Sequence, residues 1–278
     1  MKLVSFSTSD GKIRPGALLE EAGQVVDLSA GHGDTLAAIG AGIATIDKAD
    51  SYPRYKLSDV RLHAPISNPP RVFAIGLNYR EHAIETKMAF PEFPVVFFKL
   101  QTSIVGPGEA IVLPKNSTEP DYEAELAFVI GKGGYRIPAS AWREHVYGYT
   151  IVNDVSARDI QRSTSQWSLA KSFPSFCPMG PAIVTADDIA DPHALAIRLS
   201  IDGEVLQNSN TNELLFKIPE LVEYISSITP LLAGDIVSTG TPSGVGMGRA
   251  PKRWLKPGET VTVTIEGLGS LINPVVAE

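Results

Sequence analysis

Short apolar, β-branched runs recur along this chain, and few of its segments show the period of a helix. RVFAIGL, VVFFKL, AIVLP, ELAFVIG, VYGYTIVND, ALAIRLSID, DIVSTG and ETVTVTIEG read as strands, with MKLVSF and GQVVDLS ahead of them. Asp202-Gly203, between RLSI and EVLQ, marks a two-residue hairpin turn. Residues 219–228, PELVEYISSI, do have a helical period, and Pro219 suits the first turn. Strands and helices do not alternate regularly, which argues against a doubly wound or barrel α/β fold. The expected fold is mainly β (α+β). Asn68-Pro69-Pro70 closes the stretch SYPRYKLSDVRLHAPISNPP and should be rigid and extended. That boundary predicts a small β-rich N-terminal domain over residues 1–68 and a larger domain over 69–278.

Charge excludes some partners. The chain of 278 residues carries a net charge of −7 with no basic block, so neither nucleic acid nor an anionic membrane surface is an expected partner. No apolar stretch approaches the length of a membrane span, and the run in MKLVSFSTSDGK is too short and interrupted for a secretory signal. Cys177 is the only cysteine, which rules out an intrachain disulfide and a cysteine zinc cluster. The expectation is a soluble, cytoplasmic protein.

Within EPDYEAELAFVIGKG, Glu123 and Glu125 lie two apart at the start of an apolar run bounded by Pro120 and Gly131. In a strand they share a face, about 7 Å apart along the backbone, and can converge on one cation. An edge strand with a wet face would carry the same pattern. In NDVSARDIQ, Ser156 with Asp159 resembles a capping box, and Asp154, Arg158 and Gln161 would share a face of a helix that includes or follows Asp154. A surface ion pair between Asp154 and Arg158 is the competing reading. In GLNYREHAIETK, Asn78 and Glu81 suggest a helix start, and His82 faces Glu85 three residues on. A carboxylate beside an imidazole raises its basicity, as a general base requires, although an incidental pair on a solvated helix fits too. Together, two Glu and one Asp form an all-oxygen donor set suited to Mg²⁺ or Mn²⁺. About half of an octahedral sphere would stay open for substrate and water.

The chain resembles the fumarylacetoacetate hydrolase superfamily over residues 70–278. The carrying motifs are GLNYREHAIE, DYEAELAFVIGK, YTIVNDVSARDIQ, KSFPSFCPMGP and GDIVSTGTPSGVG, in that order. The resemblance implies a mixed β-roll, a homodimer, and one Mg²⁺ or Mn²⁺ per subunit held by Glu123, Glu125 and Asp154. It also implies a water-activating pair, His82 and Glu85, on a lid-like helix. Arg158, Gln161, Lys171 and Thr241 would line the substrate site, with Gln161 or Lys171 donating to an oxyanion. Lys99 sits where family members often carry a lysine and would count with Arg158 and Thr241 among the substrate-binding residues, although a strand-end lysine reaching for solvent reads the same way. Asp121 is left outside the ligand set because Pro120 makes its direction uncertain.

The expected substrate is a small 2-oxo acid. Because both members of the His82/Glu85 pair are present, the leading expectation is hydrolysis of a carbon–carbon bond in a 2,4-dioxo acid of the acylpyruvate or fumarylpyruvate type. The alternative is a decarboxylase or isomerase acting on a 2-oxo-dicarboxylate of the oxaloacetate or hydroxyheptadienedioate type. A metal-binding scaffold without turnover is the reading from a different class. Met88, Phe90 and Phe93 suggest an apolar distal pocket, with ordinary lid packing as the competing reading. The glycines at 244, 246 and 248 lack a P-loop ending and read as a tight turn or a close backbone approach.

Overall fold

The run that holds the two glutamates forms the strand Ala124–Ile130, and every residue of it is buried. It pairs antiparallel with Val146–Asn153 on one side and Ile236–Ser238 on the other. Successive side chains of a strand point to opposite faces, and here both faces are packed. Leu126, Phe128 and Ile130 enter one core layer with Leu199, Val261, Val263 and Leu271. Ala127 and Val129 enter a second layer with Leu3, Val152, Met179 and Ile183. Two-sided burial explains why this segment reads as a continuous apolar run rather than an alternating one.

The computed structural model describes residues 1–45 and 52–278; Ser51, where the linker-like stretch begins, lies outside them. Among these residues the largest sheet has twelve strands. Its main path runs Arg54–Lys56, Gln24–Asp27, Arg14–Leu19, Lys2–Ser7, Cys177–Thr185, Val146–Asn153, Ala124–Ile130, Ile236–Ser238, Val72–Gly76 and Val95–Lys99. The N-terminal strands therefore join the sheet through Lys2–Ser7, which pairs antiparallel with Cys177–Thr185. A five-stranded sheet of Glu204–Asn210, Ala196–Ile201, Thr260–Ile265, Gly269–Ala277 and Ile111–Leu113 covers the other side of the first core layer. Parallel pairings of Ile236–Ser238 with Val72–Gly76, and of Gly269–Ala277 with Ile111–Leu113, make the architecture mixed. The mainly β expectation holds.

Asp202 and Gly203 join Ala196–Ile201 to Glu204–Asn210, both with the positive φ that such a hairpin requires. The helix Ile218–Ile228 has Pro219 in its first turn and buries Leu221, Val222 and Ile225. No helix among the described residues is long and apolar enough to cross a membrane.

Two helix starts differ from expectation. The helix Arg80–Glu85 begins after Tyr79 without a side-chain cap, so Asn78 does not cap it. The fully buried Asn78 instead donates from Nδ2 to the carbonyls of Phe216 (3.0 Å) and Thr239 (2.8 Å), while its Oδ1 accepts from Phe216 N at 2.8 Å. It ties the entry of the His82 helix to two distant loops. Asn78→Ala strands several buried backbone groups, each costing about 1–3 kcal/mol, so the expected loss of stability is roughly 3 kcal/mol in a denaturant titration. The helix Arg158–Ser163 likewise starts without a side-chain cap, because Asp159 bonds to Ser117 and Thr118 rather than closing a box with Ser156.

Candidate active site

The register of the two central strands assembles the acids. Ala124 lies opposite Asn153, so Glu123 precedes one strand just where Asp154 follows the other. Asp154 N donates to the Glu123 carbonyl (2.9 Å), and Glu123 N donates to Asn153 Oδ1 (3.0 Å), which locks the crossing. Asp154 thus leaves a strand end rather than a helix face. Ligand atoms of Glu123, Glu125 and Asp154 all lie within 4.8 Å of one another, and all three residues are buried.

Cations hold these acids in place. Lys171 Nζ donates to Glu123 Oε2 and Asp154 Oδ2, both at 2.6 Å. Arg158, the first residue of its helix, donates from Nη2 to Glu123 Oε1 (2.5 Å), from Nε to Asp121 Oδ2 (2.8 Å) and from Nη1 to Gln161 Oε1 (2.9 Å). Glu125 Oε2 accepts from Ser238 Oγ (2.5 Å) and Gly240 N (3.0 Å). Burial opposes ionisation of Glu123, but Arg158 and Lys171 outweigh it and hold that carboxyl below the usual range. Burial, followed by the charges of Asp154 and Glu123, pushes Glu125 well above that range. Burial also works against the Lys171 ammonium, yet Asp154 and Glu123 raise its pKa above the ordinary lysine value.

This donor set fits a hard divalent ion. Three carboxylates converge without a soft ligand among them, and Glu125, poorly neutralised by its neighbours, gains from added positive charge.

A cavity of about 390 Å³ opens onto the triad. Its wall includes His82, Arg158, Gln161, Lys171 and Thr241 beside the three acids, so the structure brings these expected site residues to one space. His82 is buried, its Nδ1 lacks a hydrogen-bond partner, and Glu85 Oε2 stands 3.6 Å away. Glu85 itself accepts from Gly244 N at 3.0 and 3.1 Å. The glycine loop allows this approach: a Cβ on Gly248 would sit 2.3 Å from Glu85 Cδ. Thr241 Oγ1 accepts from Gln207 Nε2 at 2.8 Å, which leaves its hydroxyl proton free to donate into the cavity.

Lys99 differs from both readings of the sequence. It neither reaches solvent nor lines the cavity; its fully buried ammonium donates to Asp154 Oδ1 from behind the triad. Asp121 was set aside as uncertain, yet it organises the site. Its carboxylate takes Arg158 Nε, Gly246 N (2.7 Å) and Met247 N (3.0 Å), joining the cationic wall to the glycine loop. Only the strand-period spacing from Glu123 pointed to it. Of the three apolar residues after the His82 helix, Met88 lines the cavity, whereas Phe90 lies against Arg80 and Phe93 stacks on Tyr224. Trp167 supplies wall that the sequence did not suggest. Its ring packs so closely on Gly76 that a Cβ there would fall 2.3 Å from Cζ3.

Comparison with known proteins corrects the expected reaction. Residues 71–276 match the family described as "Fumarylacetoacetate (FAA) hydrolase C-terminal". The mitochondrial oxaloacetate tautomerase fahd2 of Xenopus laevis is 43% identical over 288 aligned residues, covering 99% of this chain and 90% of that protein. The oxaloacetate tautomerase YisK of Bacillus subtilis (strain 168) is 44% identical over 225 residues, covering 80% of this chain and 75% of that protein. Among solved structures, the 5-carboxymethyl-2-hydroxymuconate delta-isomerase of Mycobacterium smegmatis superposes with a TM-score of 0.84 at 38% identity, covering all of both chains. These relatives are named for tautomerisation and isomerisation, which overturns the expected carbon–carbon bond hydrolysis and favours the alternative. The His82/Glu85 pair misled because a proton-transfer enzyme has the same use for a base as a hydrolase does. With nearly three-quarters of its length matched by the family and relatives this similar along it, the chain is an enzyme that belongs to the fumarylacetoacetate hydrolase family.

Proposed function

We propose that this enzyme tautomerises a 2-oxo-dicarboxylate, with oxaloacetate as the leading substrate, by moving one proton between C3 and the 2-oxo oxygen. The observation that carries this reading is a buried, cation-buttressed acid triad facing His82 across one cavity, in a chain 43% identical to a protein named for that activity. A divalent ion held by Glu123, Glu125 and Asp154, Mg²⁺ or Mn²⁺ by donor type, would supply Lewis acidity at the carbonyl end of the substrate.

The protein's own groups perform the proton work. His82 is the base that removes the C3 proton, with the Glu85 carboxylate 3.6 Å from its Nδ1. As that C–H bond breaks, its electron pair becomes the second bond between C2 and C3, and the carbonyl π pair moves to oxygen. His82 then returns the proton to that oxygen, giving the enol; the reverse sequence restores the ketone. Lys171 and Gln161 donate to the oxygen while it is negative, and Thr241 donates to the adjacent carboxylate. The apolar walls from Phe97, Trp167 and Met88 keep water scarce around the exchanged proton.

A second substrate class has its own support. A volume of about 390 Å³ exceeds the needs of a four-carbon diacid, and the Mycobacterium neighbour is named for a longer unsaturated substrate. Both reactions move a proton between carbon and the 2-oxygen, and both pass through the enolate of a 2-oxo acid.

The test follows the ultraviolet absorbance of the oxaloacetate enol in stopped flow, with Mg²⁺, with Mn²⁺ and with EDTA. The expected result is rapid equilibration with either metal and loss of the enzymatic rate in EDTA. A 5-carboxymethyl-2-hydroxymuconate arm runs in parallel, and turnover of that substrate alone transfers the assignment to the isomerase reading. Inactivity on both substrates with metal present removes the proposal.

A further inference from the structure

The cationic side chains on the cavity wall differ in what they have left to give. Arg158 and Lys171 both donate to the buried acids. Arg162 lines the same cavity, but its only hydrogen-bonding partner among the described residues is Glu119, reached from Nη2 at 2.5 Å. That pair is open to water, with the Arg162 side chain 46% and the Glu119 side chain 23% exposed. An exposed ion pair contributes little and exchanges readily for another carboxylate.

Position singles out Arg162 as well. It stands four residues after Arg158 on the helix Arg158–Ser163, so the two guanidinium stems rise from one face, about 6 Å apart along the axis. Arg158 sits at the triad end and Arg162 toward the opening. Phe97 and Trp167 supply apolar wall, and the only arginine and lysine side chains in the lining are Arg158, Lys171 and Arg162, of which the first two are committed to the acids.

Resting on the tautomerase reading, we propose that Arg162 is the specificity-determining residue that receives the distal carboxylate of the diacid, after releasing Glu119. The planar fork of its guanidinium suits a carboxylate in two-point contact. A 2-oxo acid that lacks the second carboxylate gains nothing from it. Selection for dicarboxylates thus comes from the cavity mouth, separately from the acids that hold the 2-oxo end.

The test measures binding without turnover. Malate and lactate share the oxygenated carboxylate end and differ in the second carboxylate; their affinities are compared by calorimetry in Mg²⁺ for the wild-type protein, Arg162→Gln and Arg162→Lys. The expected wild-type preference for malate falls about tenfold or more in Arg162→Gln and by less in Arg162→Lys, which keeps the charge but not the fork. An undiminished preference in Arg162→Gln overturns the inference, as does an equal loss of affinity for both acids. Oxaloacetate turnover is measured on the same samples. If the wild-type protein is inactive while the malate preference still depends on Arg162, the tautomerase reading falls and the carboxylate site stands.

Discussion

Glu125→Gln is expected to lower oxaloacetate tautomerisation about a thousandfold while leaving the fold intact. Glutamine has the shape of glutamate and retains an oxygen to accept from Ser238 and Gly240. What it removes is one of the three anionic ligands proposed for the ion, and Lewis-acid stabilisation is worth several kcal/mol at about 1.4 kcal/mol per factor of ten. Thermal stability without metal should stay near the wild-type value. The wild-type protein should gain about 2.7 kcal/mol at a hundredfold excess of Mg²⁺ over its dissociation constant, and the variant should lose most of that gain. Glu123→Gln should behave differently. Glu123 receives both Arg158 and Lys171, so its loss leaves buried cations short of a partner and should cost about 3–5 kcal/mol even without metal. Melting curves of the two variants, with and without Mg²⁺, check the contrast. Equal destabilisation would mean that the cations do not divide between the acids as described.

His82→Ala should reduce turnover by roughly two to four orders of magnitude, mainly through kcat. The side chain is buried at the cavity wall and donates no hydrogen bond from Nδ1 on which the fold relies. Its removal should therefore leave metal binding, and the melting shift that reports it, close to wild type. Proton exchange gives a sharper reading than rate alone, because deuterium entry at C3 of oxaloacetate in D₂O, followed by NMR, should slow in parallel. A variant that still exchanges C3 at the full rate would move the base to another residue.

The two glutamates were legible because their signal is local, whereas Asp154 reaches them only through the pairing of two strands. A two-residue spacing at the start of an apolar run, bounded by Pro120 and Gly131, points to a strand and a shared face. The Asp202-Gly203 turn and the helix Ile218–Ile228 were readable for the same reason. Strands that break local rules were not. Cys177–Thr185 contains Pro178 and Pro181, and Arg14–Leu19 contains Pro15 and Gly16, so their pairing comes from neighbouring strands rather than from propensity.

Long-range partners were hidden as well. Asn78 looks like a helix cap until Phe216 and Thr239 arrive from elsewhere in the chain, and Lys99 looks like a strand end until Asp154 packs against it. Arg162 is one more basic residue in sequence; only the shared cavity shows that its charge is less committed than that of Arg158 or Lys171. The reaction itself was misread because hydrolysis and tautomerisation use the same base and the same acids. In the proposed reaction the base would meet the C3 proton rather than water, and no residue type records that choice.

The most direct test titrates Mn²⁺ into metal-stripped wild-type protein and Glu125→Gln, following the free ion by electron paramagnetic resonance and then adding oxaloacetate. Wild-type protein should take up one ion per chain and the bound ion should respond to the substrate, whereas the variant should bind far more weakly. Equal uptake by both proteins, or a bound ion indifferent to oxaloacetate, would contradict the account.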